Sequence, residues 1–160
     1  MRVRLPDPAA TDRFGALLAA TRPVRAIVHL RGDLGAGKST LARALLRALG
    51  VTGAIRSPTY TLVERYPLAD GDDAVHLDLY RIGDPGELEF LGLDPAEGAL
   101  WLIEWPERGG NSLPPADLDV GLALDGDGRV IDLIGCTPIG ETWVADIVEH
   151  PDLRVFHDPS

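Results

Sequence analysis

A glycine-rich segment with one lysine carries the clearest chemical signal in this sequence. Residues 32–40, Gly-Asp-Leu-Gly-Ala-Gly-Lys-Ser-Thr, match the phosphate-binding pattern G-x-x-x-x-G-K-[ST]. Glycines let backbone N–H groups turn toward phosphate oxygens, Lys38 has the length to reach the β- and γ-phosphates, and Ser39 offers a hydroxyl to Mg²⁺. Lys38 is the only lysine among 15 lysine and arginine residues. The segment predicts a nucleotide-binding loop with ligands from Asp33, Leu34, Gly35, Ala36, Gly37, Lys38, Ser39 and Thr40.

The flanking residues indicate the elements that would hold this loop. Residues 26–30, Ala-Ile-Val-His-Leu, predict a buried strand in which His29 is a packed core histidine. Residues 41–49 are mostly strong helix formers, and Gly50 after them is a favoured residue just past a helix end. Strand, glycine loop and helix in this order support the phosphate-binding interpretation.

Two carboxylates are candidates for chemistry beside the loop. Glu104 follows an apolar run at 99–103 that predicts a fully buried strand. Its position is that of a Mg²⁺-holding carboxylate, and a solvated turn residue is the alternative. Asp78 alternates with His76 and Tyr80 along another predicted strand. It would orient the attacking water or bind a metal-bound water, unless it is an exposed acid on an edge strand. We therefore predict Lys38, Asp78 and Glu104 as catalytic residues and Ser39 and Glu104 as metal ligands, and we assign His76 no role.

Two further positions have both a functional and a structural interpretation. Thr59 lies in residues 57–61, Ser-Pro-Thr-Tyr-Thr, where a hydroxyl of Thr59 or Thr61 would contact Mg²⁺ or the terminal phosphate. A proline turn that enters a strand is the alternative. Trp105 either covers the site or packs structurally. We include Thr59 and Trp105 among the predicted nucleotide-contacting residues.

The order of predicted elements is typical of an α/β fold. We expect one P-loop NTPase-like domain over residues 1–150, with a mostly parallel central sheet flanked by helices, and a flexible tail over residues 151–160. Residues 118–134 predict a C-terminal antiparallel hairpin around a glycine turn. Further helices are expected from residue 11 or 12 to residue 20, and over residues 142–148.

Composition and charge narrow the function classes. No apolar stretch is long enough for a membrane span and the single cysteine excludes an internal disulfide, so we expect a cytoplasmic protein. The guanine-recognition signature N-K-x-D is absent, because the one lysine lies in the loop, and this favours an adenine nucleotide.

The charged residues are unevenly distributed along the chain. Residues 1–65 carry 11 basic and 4 acidic side chains, whereas residues 66–160 carry 4 basic and 21 acidic ones. An acidic surface repels a phosphate backbone, so the chain alone is expected to bind nucleic acid poorly. The basic half either presents solvated helix faces and nucleotide counter-charge or docks a partner, for which Arg43 and Arg47 are candidates.

Four segments together resemble the TsaE (YjeE) family, bacterial ATPases required for making threonylcarbamoyladenosine in tRNA. The segments are residues 32–41, residues 57–60 (Ser-Pro-Thr-Tyr), residues 76–81 (His-Leu-Asp-Leu-Tyr-Arg) and residues 102–106 (Leu-Ile-Glu-Trp-Pro). Their order and spacing are similar to that family over residues 10–135. Ser39 stands where many members have threonine, which keeps the metal-binding hydroxyl.

The resemblance implies a small Mg²⁺-dependent ATPase that acts with two partner proteins, TsaD and TsaB, while the tRNA is held by the partners. It places the site at Lys38, Ser39, Thr59, Asp78, Glu104 and Trp105. The alternatives are a small-molecule P-loop kinase and a nucleotide-sensing interaction module without turnover.

Overall fold

Three stretches of the chain, residues 1–56, 62–94 and 97–156, are described by a computed structural model. Within them, seven strands form one sheet in the order β1-β7-β6-β2-β5-β4-β3. The strands are β1 Arg2–Leu5, β2 Ala26–Arg31, β3 Val63–Pro67, β4 Asp73–Asp78, β5 Leu100–Glu104, β6 Leu118–Asp125 and β7 Gly128–Gly135. The α-helices are α1 Pro8–Thr21, α2 Lys38–Ala48 and α3 Pro138–Glu149, and 3₁₀ helices cover Pro85–Leu91, Pro106–Arg108, Gly110–Ser112 and Pro151–Phe156. None of the helices in these stretches has the length and apolar character needed to cross a membrane.

The centre of the sheet is parallel. Strand β2 lies between β5 and β6 and runs parallel to both, and β4 runs parallel to β5. Strands β1, β3 and β7 pair antiparallel with their neighbours. All five residues of β5 are buried, as expected for a parallel strand covered on both faces. The predicted α/β fold, with a mostly parallel central sheet and a C-terminal antiparallel hairpin, is confirmed.

Apolar side chains cover both faces of the sheet. One cluster joins it to the α-helices through residues such as Phe14, Leu45 and Trp143. The second cluster joins Leu77 and Trp101 to the short helix Pro85–Leu91 on the opposite face. The carboxyl ends of β2, β4 and β5 stay aligned between these layers, because Glu104 pairs with Leu30 on one side and Asp78 on the other.

Two helices begin earlier than the sequence patterns predict. Helix α1 starts at Pro8 because the Asp7 carboxylate accepts a hydrogen bond from the Ala10 N–H at 2.8 Å. Helix α3 starts at Pro138 and is capped by Thr137 in the same way. In both cases a capping residue followed by proline sets the start, since proline suits the first helical position.

The flexible tail predicted for residues 151–160 is wrong for residues 151–156. These form a 3₁₀ helix in which Leu153 is buried and Phe156 packs edge-on against Phe14, with ring centroids 5.5 Å apart. Residues three apart share one side of a 3₁₀ helix, so Leu153 and Phe156 both turn toward the core. Residues 157–160 lie outside the described residues.

Candidate nucleotide-binding site

The loop between β2 and α2 has the backbone geometry of an anion cradle. Gly35 has φ +81° and Gly37 has φ +106°, a region that side chains with a Cβ rarely adopt. A Cβ on Gly35 would meet nothing within 4 Å, so glycine is needed there for its backbone angle and not for space. Gly37 is the N-cap of α2, which begins at Lys38 and presents its unpaired N–H groups and positive dipole end to the loop. The loop is therefore suited to phosphate groups.

Lys38 lies folded against the loop. Its ammonium donates to the carbonyl oxygens of Gly32 and Asp33, the latter at 3.1 Å, and lies 4.1 Å from the ring centroid of Trp105. Burial lowers the pKa of the Lys38 ammonium, whereas the carboxylates of Glu104 and Asp78 act in the opposite direction. The cation is thus held beside the cavity among groups that a phosphate can replace.

Glu104 and Ser39 meet at the end of β5. The Ser39 hydroxyl donates to the Glu104 carboxylate, with Oγ 2.9 Å from Oε1 and 3.0 Å from Oε2. Glu104 is only 2% exposed, so the alternative of a solvated turn residue does not fit. A hydroxyl and a carboxylate are oxygen ligands of the kind that Mg²⁺ prefers.

In the described ranges, no group of three or more His, Cys, Asp or Glu side chains is arranged to hold an ion. Side chains of these ranges therefore do not form a metal site by themselves. Mg²⁺ commonly takes one or two protein ligands and completes its shell with phosphate and water. Ser39 and Glu104 fit that pattern.

Asp78 lies beside Glu104 in the register of the parallel strands. It is 6% exposed and β4 lies between β3 and β5, so the alternative of an exposed edge acid is wrong. Asp78 Oδ1 accepts a hydrogen bond from the Tyr80 N–H at 3.0 Å, which holds the carboxylate at the turn after the strand. The side chain lines the same cavity as Lys38.

The loop and the strand ends enclose an open cavity of about 270 Å³. Every predicted site residue that the structure describes lines it: Asp33, Leu34, Gly35, Ala36, Gly37, Lys38, Ser39, Thr40, Asp78, Glu104 and Trp105. The predicted contacts of Thr59 and Thr61 lie outside the described residues.

Trp105 forms one wall of the cavity. Its φ of +56° is unusual for a residue with a side chain, and its ring packs against Tyr80 with centroids 5.0 Å apart. The Arg108 guanidinium lies over both rings and donates to the Tyr80 carbonyl oxygen at 2.6 Å. Trp105 therefore both lines the cavity and packs against its neighbours, which agrees with either of its two interpretations.

Sequence reasoning missed two residues of the site, His76 and Arg129. His76 Nε2 lies 2.6 Å from Glu104 Oε2. The alternation along the strand sets His76 on the same face as Asp78, but it does not identify Glu104 as the partner. Arg129, in β7, lines the cavity and donates to the Gly35 carbonyl oxygen at 3.3 Å. No local signal predicts this contact, because it depends on β6 pairing with β2. The packing predicted for His29 is confirmed, since this buried side chain donates to the Pro114 carbonyl oxygen at 3.2 Å.

The sheet order and the glycine loop define the class of protein, an α/β protein of the P-loop type. A solved structure of this type, the crystal structure of Bacillus subtilis YdiB, is similar with a TM-score of 0.75 and 26% sequence identity. The similarity covers 94% of this chain and 95% of that chain.

Sequence comparisons give the family. The family model described as "Threonylcarbamoyl adenosine biosynthesis protein TsaE" matches residues 5–131. The tRNA threonylcarbamoyladenosine biosynthesis protein TsaE of Haemophilus influenzae is 43% identical over 148 residues, which cover 88% of this chain and 93% of that protein. The protein of the same name from Streptomyces coelicolor is 36% identical over 140 residues, covering 84% and 95%. The chain belongs to the TsaE family, as the four sequence segments predicted.

Proposed function

We propose that this chain is a Mg²⁺-dependent ATPase that supports threonylcarbamoyladenosine formation in tRNA, together with the proteins TsaD and TsaB. Family membership supports the role in tRNA modification. The observation that carries the hydrolytic part is the meeting of Ser39 and Glu104 at 2.9 Å beside a phosphate-binding loop. A hydroxyl and a carboxylate at this position can hold Mg²⁺ at the terminal phosphates, where charge develops during phosphoryl transfer.

Each side chain has a role in the proposed reaction. The loop N–H groups and Lys38 bind the β- and γ-phosphates and stabilise the charge that develops on them. Ser39 and Glu104 would hold Mg²⁺, which would neutralise charge at the transferred phosphate when bound. Asp78, at the end of the adjacent strand, orients the attacking water or a water of the metal shell.

The charge of the chain supports an indirect role toward RNA. Residues 66–160 are strongly acidic and would repel a phosphate backbone. We therefore place the tRNA on TsaD and TsaB and propose that the complex works in the cytoplasm. Adenine is the proposed base, since the lysine of the guanine signature is missing.

The test is phosphate release by the full chain with ATP and Mg²⁺, alone and with TsaD and TsaB. We expect slow turnover alone, faster turnover in the complex, and loss of turnover in Lys38→Ala. Arg154→Ala removes an exposed cation outside the cavity and is the matched control.

Three outcomes would contradict the proposal. Fast hydrolysis at a rate that TsaD and TsaB do not change would argue against a function in a complex with them. ATP-dependent phosphorylation of a small metabolite would indicate a kinase. Nucleotide binding without phosphate release, even in the complex, would indicate a sensing module.

A further inference from the structure

His76 is an unusual residue for the middle of a sheet. It lies in β4 between Glu64 of β3 and Leu102 of β5, and it is 1% exposed. Burying an imidazole is unfavourable unless its nitrogens find hydrogen-bond partners. Within the described parts of the chain, His76 Nδ1 has none. Stability alone therefore does not account for a histidine at this position.

Among the residues that the structure describes, the His76 side chain makes one hydrogen bond, and it goes to a proposed metal ligand. Its Nε2 lies 2.6 Å from Oε2 of Glu104. An ionised carboxylate only accepts hydrogen bonds, so Nε2 carries the hydrogen and donates it. Ser39 approaches both oxygens of the same carboxylate, at 2.9 and 3.0 Å.

Two donors on different sides fix the rotation of the Glu104 carboxylate. Ser39 alone would allow the carboxylate to turn, because its hydroxyl lies almost equally far from both oxygens. The additional bond to His76 holds Oε2 toward β4, while the Ser39 hydroxyl stays within hydrogen-bond distance of both oxygens. Partners of this kind behind a metal ligand commonly change metal affinity 10- to 100-fold when they are removed.

We propose that His76 is a positioning residue, whose Nε2–H orients the Glu104 carboxylate for Mg²⁺ while His76 itself contacts neither metal nor nucleotide. This inference rests on the proposed Mg²⁺-dependent function. It predicts different effects on nucleotide binding with and without Mg²⁺, because the loop and Lys38 bind the phosphates without help from β4. Loss of the His76 donor should weaken the Mg²⁺-dependent part of nucleotide binding and spare the metal-free part.

The experiment measures ADP binding to the full chain by calorimetry, first in EDTA and then across a Mg²⁺ titration. In His76→Leu we expect the apparent Mg²⁺ affinity of the ADP-bound protein to fall about tenfold or more, with ADP affinity in EDTA unchanged. His76→Gln keeps an N–H of similar reach and should recover much of the loss. His29→Gln is the control, since it alters a buried histidine that bonds Pro114 instead of Glu104.

The outcomes separate this inference from the proposed function. If the native chain binds ADP with Mg²⁺ and His76→Leu matches it, the positioning role alone is overturned. Equal losses with and without Mg²⁺, accompanied by a lower melting temperature, would mean that His76 is only structural. If His76→Leu does not fold, His76→Asn replaces it, because its shorter amide does not reach Oε2. A native chain that binds no nucleotide overturns the proposed function and the inference together.

Discussion

Arg129 adds a second positive charge to the phosphate-binding loop. Its guanidinium donates to the carbonyl oxygens of Gly35, at 3.3 Å, and Gly128, at 3.0 Å, and the side chain lies against Gly37. A guanidinium binds phosphate through two parallel N–H donors, so it is well suited to a nucleotide held by this loop. The side chain comes from a different part of the chain and reaches the loop from the hairpin.

We expect Arg129→Ala to weaken ATP binding by about tenfold or more, because a hydrogen bond to a charged group contributes about 1.5–3 kcal/mol. Calorimetric titration of ATP measures the change. Arg129→Lys keeps the charge without the planar fork and should recover only part of the affinity. Unchanged affinity in Arg129→Ala would remove Arg129 from the site.

Trp105 should report the proposed binding of ATP through its fluorescence. The Lys38 ammonium lies 4.1 Å from its ring centroid, and phosphate binding would compete for that ammonium. Trp101 and Trp143 are fully buried elsewhere in the core. We expect a saturable change of tryptophan fluorescence on ATP addition that disappears in Trp105→Phe. A full-sized change that persists in Trp105→Phe would contradict this assignment.

At the scale of elements, the site depends on three parallel strands that end together. Strand β2 leads into the loop, β5 ends at Glu104 and β4 ends at Asp78, and the register sets these ends side by side. Parallel strands place their carboxyl ends at one edge of the sheet, and the ligands of α/β proteins bind there.

His29, in strand β2, makes the stability of the fold depend on pH. Burial lowers the pKa of His29 below its ordinary value, so the folded chain binds fewer protons than the unfolded chain at mildly acidic pH. The contribution of His29 to stability is therefore complete above about pH 6.5. It is lost progressively as the pH falls from there through the folded-state pKa.

We expect His29→Gln to flatten the stability profile between about pH 7.5 and 5.5. Glutamine retains a donor for Pro114 and does not titrate. Urea midpoints of native and variant chains at several pH values measure the difference. Parallel profiles for the two chains would contradict this prediction, because the pKa of His29 would then be the same in the folded and the unfolded chain.

The sequence predicts the parts of the site that are local and leaves out those that depend on strand order. The order of residues 26–50 determines strand, loop and helix, and the apolar run before Glu104 identifies β5. The contacts of Arg129 and His76 require knowing which strands are neighbours, and periodicity alone does not give that. The helix starts at Pro8 and Pro138 were missed because one capping residue outweighs the apolar pattern that follows it.

At the scale of the whole molecule, the end of the described chain closes over α1. Leu153 is buried and Phe156 packs against Phe14, so the segment Pro151–Phe156 contributes to the core. A tail that only extended into solvent would contribute nothing to the free energy of unfolding.

We expect Leu153→Ala to lower the free energy of unfolding by about 2 kcal/mol, the lower end for a buried leucine truncated to alanine. Val155→Ala is the matched control, because Val155 is 61% exposed in the same short helix. Chemical denaturation of both variants measures the difference. Equal stability of the two variants would support the flexible tail that the sequence first indicated.

The uneven distribution of charged residues along the chain leads to a prediction about the surface that binds partner proteins. Arg43 and Arg47 are exposed on α2 beside a shallow groove that also includes Asp12 and Thr40. On the proposed assembly with TsaD and TsaB, we expect Arg43→Glu combined with Arg47→Glu to weaken association about tenfold or more, because an acidic partner surface would then meet like charges, which cost several kcal/mol. Pull-down with the two purified proteins measures this, with Arg154→Glu as the control. Unchanged association would remove this helix face from the interface.

The hairpin that supplies Arg129 has a consequence for the timing of activity during translation. The cavity combines the loop at residues 32–40 with an arginine almost a hundred positions later. The cavity is therefore complete only after β7 has emerged from the ribosome. On the proposed function, nascent fragments that end before β7 lack Arg129 and should bind ATP more weakly than chains that include it.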